Sequence, residues 1–169
     1  MKHFTKLAAA MTLPYALFLA LIVLFCLALL PSPVKGEADS VCFLSVLKVS
    51  DSSHTQEENI VINDNGQWQS LWQTLFTNTS EKPPLPDIDF SRRTIIAVFQ
   101  GEQATTGYQI SIEEALETEN ALEVNVKAFS PGKRCVLLGK VTRPLHIVEI
   151  EKTQKEIVFH VKRRIRNCG

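Results

Sequence analysis

Ile95, Ile96, Ala97, Val98 and Phe99 form an unbroken apolar run that ends just before Gly101. A run this short and rich in β-branched residues reads as a strand buried on both faces. Beyond the break, Tyr108, Ile110 and Ile112 alternate with Gln109, Ser111 and Glu113, the period of a half-buried strand. A polar loop, Gly101 to Gly107, joins them with a glycine at each end. Glycine takes φ > 0 and lets backbones approach closely, so it suits points where a chain leaves and re-enters a sheet. Two readings of the loop stand side by side. It is an ordinary hairpin connection, or a rigid pair of strands presents Gln103, Ala104, Thr105 and Thr106 to a partner, since binding residues concentrate on loops held by scaffolds.

The rest of the chain supplies partners for these strands. Val41–Val49, Asn59–Ile62, Leu122–Ala128, Cys135–Val141, Leu145–Glu151 and Glu156–Arg163 read as strands. The acids Glu113, Glu114, Glu117 and Glu119 read as a solvated bend, and Ser130-Pro131-Gly132-Lys133 as a turn. Trp68, Leu71, Trp72, Leu75 and Phe76 fall at i, i+3, i+4, i+7 and i+8, one apolar helix face, preceded by the turn and cap chemistry of Asn63-Asp64-Asn65-Gly66. Both tryptophans are expected in the core. Pro83, Pro84 and Pro86 stiffen the following loop, where Asp87 and Asp89 suit turn duty better than acid–base chemistry. Pro144 cannot donate to a sheet ladder and belongs at an edge or a strand start. The expected fold is mainly β, an antiparallel sandwich or partly open barrel of about eight strands with one packed helix.

The amino end bears on compartment. Lys2 and Lys6 precede an uncharged stretch from Leu7 to Leu30, with small residues after it. That is the pattern of a secretory leader over residues 1–36, cleaved after Gly36 or, alternatively, Ala38. Residues 7–30 are also long enough to act as an uncleaved membrane anchor. In either case the remainder, residues 37–169, is expected outside the cytoplasm as a single domain. Phe25 precedes Cys26 where lipid attachment wants a small residue, so Cys26 is not read as a lipid site. Asn78-Thr79-Ser80 is a glycosylation acceptor only in a eukaryotic host.

Removing residues 1–36 takes three lysines and no acid, so 18 basic and 18 acidic residues become 15 and 18, a formal charge near −3. That balance argues against general binding to polyanions, and the short basic tail Lys162, Arg163, Arg164, Arg166 has no aromatic-rich surface to suit nucleic acid. No G-x-S-x-G, H-E-x-x-H or phosphate-binding glycine loop occurs. A Cys135–His146 pair could in principle act as nucleophile and base, but separation in sequence gives no geometry. No enzyme activity, cofactor or metal site is expected. The exported part holds Cys42, Cys135 and Cys168, an odd count that implies one disulfide and one leftover thiol. Their spacing fits no zinc pattern.

The paired tryptophans, Asp87-x-Asp89-Phe90-Ser91, Val98-Phe99-x-Gly101, Thr106-Gly107-Tyr108-x-Ile110-x-Ile112, Pro131-Gly132-x-x-Cys135 and Arg143-Pro144-Leu145-His146-Ile147-Val148 occur in that order. Together they resemble the PrcB C-terminal-domain family, from about Ile60 to Val161. The family is named for a non-catalytic lipoprotein subunit of a spirochaete surface protease complex. The resemblance implies an exported accessory or binding domain whose partner is a protein, plausible partners including a protease. The chain departs from the family in having Thr106-Gly107-Tyr108 where Gly-Gly-Tyr is usual, and in lacking the lipid-bearing cysteine. A second, local resemblance links Thr105-Thr106-Gly107-Tyr108 and Arg143-Pro144 to the inhibitory loops of chagasin-type cysteine protease inhibitors, although the glycine-rich loop between those two is absent. The partner-binding set expected on these grounds is Gln103, Ala104, Thr105, Thr106, Gly107, Tyr108, Arg143 and Pro144. Cys42 and Cys168 lie outside the core of the PrcB resemblance at opposite ends of the domain, and domain termini are often close. They are therefore expected to pair, leaving Cys135 free.

Overall fold

The structure is a computed structural model that describes residues 38–77, 79 and 82–168. The leader or anchor, Cys26 and the Asn78 acceptor lie outside the described residues. Among the described residues there are eight strands and one helix. In chain order these are β1 (Asp39–Ser40), β2 (Phe43–Val49), β3 (Glu57–Ile62), α1 (Asn65–Leu75), β4 (Arg93–Gln100), β5 (Gln109–Glu117), β6 (Ala121–Pro131), β7 (Leu145–Glu151) and β8 (Glu156–Arg166). They form two four-stranded sheets, β1-β5-β6-β8 and β2-β7-β4-β3. The sheets stack as a sandwich, and α1 covers the outer face of the second.

This layering explains the apolar run of β4. Ile96 and Val98 point into the space between the sheets, where they meet Ile112, Val124, Val126 and Val148. Ile95, Ala97 and Phe99 point the other way, onto Trp68, Trp72 and Leu75 of α1. A strand with a hydrophobic layer on each side cannot alternate. β6 has one face in the core and one turned outward, so it does alternate, whereas in β5 the bulge after Ile112 breaks the alternation.

The helix begins where its cap chemistry predicts. Asp64 is extended and its carboxylate accepts from Gln67 N at 2.9 Å. Both tryptophans are core residues, and their indole nitrogens are satisfied by the proline-rich loop. Trp68 Nε1 donates to Pro86 O at 3.0 Å and Trp72 Nε1 to Pro83 O at 3.1 Å. Asp89 is a turn residue whose carboxylate accepts from the backbone and hydroxyl of Ser91, which hold it below the usual carboxylate range.

Among the described residues the fold is the expected mainly β sandwich of eight strands with one packed helix, and four details of its strands and loops differ from the sequence reading. Cys135–Val141 is a loop, not a strand; its apolar residues do not alternate, and Val136 and Leu138 face solvent. The acidic stretch Glu113–Glu117 is not a bend but the continuation of β5 past a bulge between Ile112 and Glu114. The sandwich is not wholly antiparallel, because β6 and β8 pair in parallel through eleven residues, Ala121 with Glu156 to Pro131 with Arg166. Finally, of the two readings of Gly101–Gly107 the hairpin connection does not hold, since β4 and β5 belong to different sheets.

The parallel pairing also decides the disulfide. It carries the ends of β6 and β8 to the same place, so Cys135, after the turn that follows β6, meets Cys168, just beyond β8. The two are bonded with Cα atoms 4.9 Å apart. Among the described residues, Cys42 is free and exposed. It follows β1, which is paired to the far end of β5 at Leu116 and Glu117, so the expected Cys42–Cys168 bridge does not form.

Candidate functional site

Gly101 and Gly107, with φ of 73° and 96°, take the crossing chain out of one sheet and into the other. A side chain would be strained at either position. A Cβ on Gly101 would lie 2.9 Å from Glu57 N, and one on Gly107 3.0 Å from Leu137 and Pro131 side-chain atoms. The loop between them does not stand alone in solvent. Gln103 and Thr142 form an isolated antiparallel bridge, N to O at 2.8 and 2.9 Å. Thr142 Oγ1 donates to Thr105 O at 2.9 Å. Thr106 N donates to Leu138 O at 3.1 Å, and Leu138 N donates back to Thr106 Oγ1 at 3.0 Å. The loops 101–107 and 132–142 are thus laced together along one end of the sandwich.

Arg143 belongs to the base of this cluster. Its Nη2 lies 2.7 Å and its Nε 3.1 Å from Glu102 Oε2, and its Nη1 lies 3.8 Å from Asp51 Oδ1. Its backbone N donates to Ser50 O, and Ser52 Oγ donates to its carbonyl. Pro144 is buried immediately before β7, a strand start as its missing donor requires, and its carbonyl accepts from Gln100 N at 3.0 Å. Of the eight sequence-predicted site residues, Ala104 and Gly107 are exposed, Gln103, Thr105, Thr106, Tyr108 and Arg143 are half-buried, and Pro144 is buried. The structure brings the two loops together and turns the Arg143 side chain inward, onto Glu102 and Asp51.

What projects from the cluster is apolar and was not anticipated. Val136 is 98% exposed and Leu138 68%, on a loop pinned by the disulfide at one end and by Thr142 at the other. Val141 and Ile165 add to the same end. A signal for this existed in the sequence. Cys135-Val136-Leu137-Leu138-Gly139 has three consecutive apolar residues between turn residues, with no alternation to assign them to a face. A cavity of about 150 Å³ sits behind the loop, lined by residues that include Thr106, Gly107, Leu137 and the Cys135–Cys168 pair.

Cys135 and His146, the nucleophile–base pair weighed from the sequence, are not a site. Cys135 is disulfide-bonded. His146 is buried on β7, where Nδ1 accepts from Ile112 N and Nε2 contacts Ser45 Oγ. Among the described residues no cluster of three or more His, Cys, Asp or Glu side chains is arranged to hold a metal ion.

Neither the curated proteins nor the solved structures contain a match to this chain. The family model described as PrcB C-terminal matches residues 94–151. That span is narrower than the resemblance read from the sequence and omits α1. It runs from β4 through β7, taking in the crossing loop 101–107, the tethered loop 132–142 and Arg143-Pro144. Residues 94–151 are thus similar to the PrcB C-terminal family, and loops 101–107 and 132–142 with Arg143-Pro144 lie within the matched span.

Proposed function

We propose that residues 37–169 form an exported, non-catalytic domain that binds another protein through the end of the sandwich bearing loops 101–107 and 132–142. The observation that carries this reading is the exposure of Val136 and Leu138 on a loop that cannot fold away. Isolated exposed apolar residues are ordinary. Here two stand on one loop, and the disulfide and the Thr106–Leu138 hydrogen bonds hold them out. Fixed apolar side chains at the centre of a polar rim are the usual anchors of a protein interface. The leader pattern and the disulfide support export. The PrcB C-terminal match supports a protease complex as the class of partner.

A direct inhibitor of cysteine proteases is the second reading, favoured by the Gln103–Thr142 bridge that sets Thr105-Thr106 beside Arg143-Pro144. It ranks lower because Arg143 is committed to Glu102 and Asp51 and Pro144 is buried. One experiment separates the two. The chain and its Val136→Asp and Leu138→Asp variants are used to capture partners from the native envelope, with melting and papain inhibition measured in parallel. Unchanged melting with lost capture supports the accessory reading. Tight papain inhibition puts the inhibitor reading first, and capture that survives both substitutions removes the proposed site.

A further inference from the structure

β8 closes one side of its sheet, and β6 occupies only one of its edges. In a parallel pair, alternate residues direct their N–H and C=O groups to the neighbour, and the others direct theirs away. The C=O of Arg166 accepts from Gly132 N on the β6 side. The groups of Ile157, Phe159, Val161, Arg163 and Ile165 therefore line an edge that no other described strand covers. This edge is eleven residues long, with no proline and no register shift. Natural sheets seldom leave such an edge unguarded.

Over its carboxyl-terminal half the guard is positive charge. Arg163 is paired with Glu57, but Lys162, Arg164 and Arg166 make no ion pair among the described residues. Lys133 and Arg134 gather against Ile165 in the adjoining cleft. Ile165 has core-side parity, yet it is 71% exposed because it lies past Arg163, which already reaches Glu57, the first residue of β3. The edge thus offers unpaired backbone, an uncovered apolar side chain and unneutralised cations.

We propose that the free edge of β8 receives an extended acidic segment of a protein partner as an added strand, with carboxylates against Lys162, Arg164 and Arg166 and an apolar residue over Ile165. Backbone hydrogen bonds supply the affinity and the cations select the sequence. A second β8 is a poor occupant, since it carries the same net positive charge. The proposal rests on the reading of this domain as protein-binding, but its residues are distinct from Val136 and Leu138.

The test uses the full chain and a fluorescein-labelled nonapeptide of alternating valine and glutamate. Its controls are a valine–lysine counterpart and valine–glutamate peptides N-methylated at every second nitrogen, in either phase. Saturable anisotropy binding of the valine–glutamate peptide is expected, with slowed amide exchange at Phe159, Val161 and Arg163. Binding should fall at least tenfold in the Lys162→Glu/Arg164→Glu variant and at least tenfold on N-methylation, with none for the lysine peptide. Equal binding of the N-methylated peptides would show attraction by charge alone and overturn the proposal. So would the absence of saturable binding, binding only to phosphatidylglycerol vesicles, or self-association that the charge reversal abolishes. Val136→Asp should leave peptide binding unchanged. If the peptide fails while native partner capture persists, the edge is wrong and the loop-end reading stands; the reverse result removes the loop-end reading alone.

Discussion

His146 Nδ1 lies 2.9 Å from the backbone N of Ile112, so a side chain of one sheet takes its hydrogen bond from the main chain of the other. A backbone N–H can only donate, so Nδ1 is the acceptor and the ring proton sits on Nε2, 3.0 Å from Ser45 Oγ. Ile112 and Ser45 stand at the register shifts of β5 and β2. One neutral imidazole therefore ties together the irregular points of two strands in different sheets. Burial pushes its pKa down to about 4, with Lys48 adding to the shift and Glu113 opposing it.

Stability should consequently depend on pH in a defined direction. The unfolded chain takes up the His146 proton near pH 6.5, whereas the folded chain resists until about 4. Between these values the unfolded state binds more protons, so stability falls as pH falls through that window and is fully present above it. The contribution at neutral pH is on the order of 3 kcal/mol. Urea denaturation at intervals from pH 7.5 to 4 should follow this slope, and His146→Gln should flatten it. Glu113, held below its usual value of 4.5 by Ser111 and Lys127, begins to lose its contribution only below 4.5, at the acid end of this window, so the slope between pH 6.5 and 4.5 reports His146 rather than Glu113. An unchanged slope in His146→Gln would assign the dependence to other groups.

The disulfide gives a second prediction. Non-reducing peptide maps should join Cys135 to Cys168, and native protein should be alkylated at Cys42 alone among the three cysteines of residues 37–169. Closing a loop of that span constrains the unfolded chain by roughly 3–4 kcal/mol in the loop-entropy account, so Cys168→Ser should cost stability of that order. Because the bridge anchors the loop bearing Val136 and Leu138, the same substitution should also weaken partner capture. A map that places Cys42 in the bridge would contradict the parallel register of β6 and β8.

Local chemistry made much of this fold legible. The β4 run, the Trp68–Leu75 face, the Asp64 cap and the position of Pro144 each rest on neighbours in sequence, and each was readable. The chain's crossing between sheets was not, because Gly101 and Gly107 would serve a hairpin equally well. Parallel pairing of β6 and β8 depends on contacts between distant segments, and no residue in either strand announces it. The Cys135–Cys168 bridge follows from that pairing, so the argument from chain termini chose the wrong partner. In the candidate site, Thr105, Thr106 and Arg143 were singled out by motif. Their hydrogen bonds into loop 132–142, and the outward apolar residues there, required the tertiary arrangement.

The two positive-φ glycines should differ in cost. A Cβ on Gly101 meets backbone atoms of Gln56 and Glu57 at 3.2 and 2.9 Å, which can yield only by moving β3. On Gly107 it meets side-chain atoms of Leu137 and Pro131. Both substitutions pay backbone strain of about 1–3 kcal/mol. Gly101→Ala should therefore destabilise more than Gly107→Ala, while Gly107→Val should cost at least about 1 kcal/mol. Equal melting points for the two alanine variants would remove the distinction.

The pairing of Arg143 with Glu102 decides whether Arg143 serves the scaffold or a partner. The guanidinium is about a quarter exposed and Glu102 about half, so solvent screening limits the pair to roughly 0.5–1 kcal/mol despite the two-nitrogen contact. A double-mutant cycle of Arg143→Ala and Glu102→Ala should return a coupling of that size. Glu102→Ala frees Arg143 on that side while leaving its Asp51 contact. If Arg143 only braces the loops, both single variants should weaken partner capture in proportion to the stability they lose, and Thr105→Arg, whose side chain makes no hydrogen bond, should shift stability by no more than about 0.5 kcal/mol. If Arg143 touches the partner, Arg143→Ala should lose capture far beyond its loss of stability, and Glu102→Ala should raise capture by releasing the guanidinium. The bracing role is the one the geometry supports, so capture in Glu102→Ala above that of the unmodified chain would be the result against it.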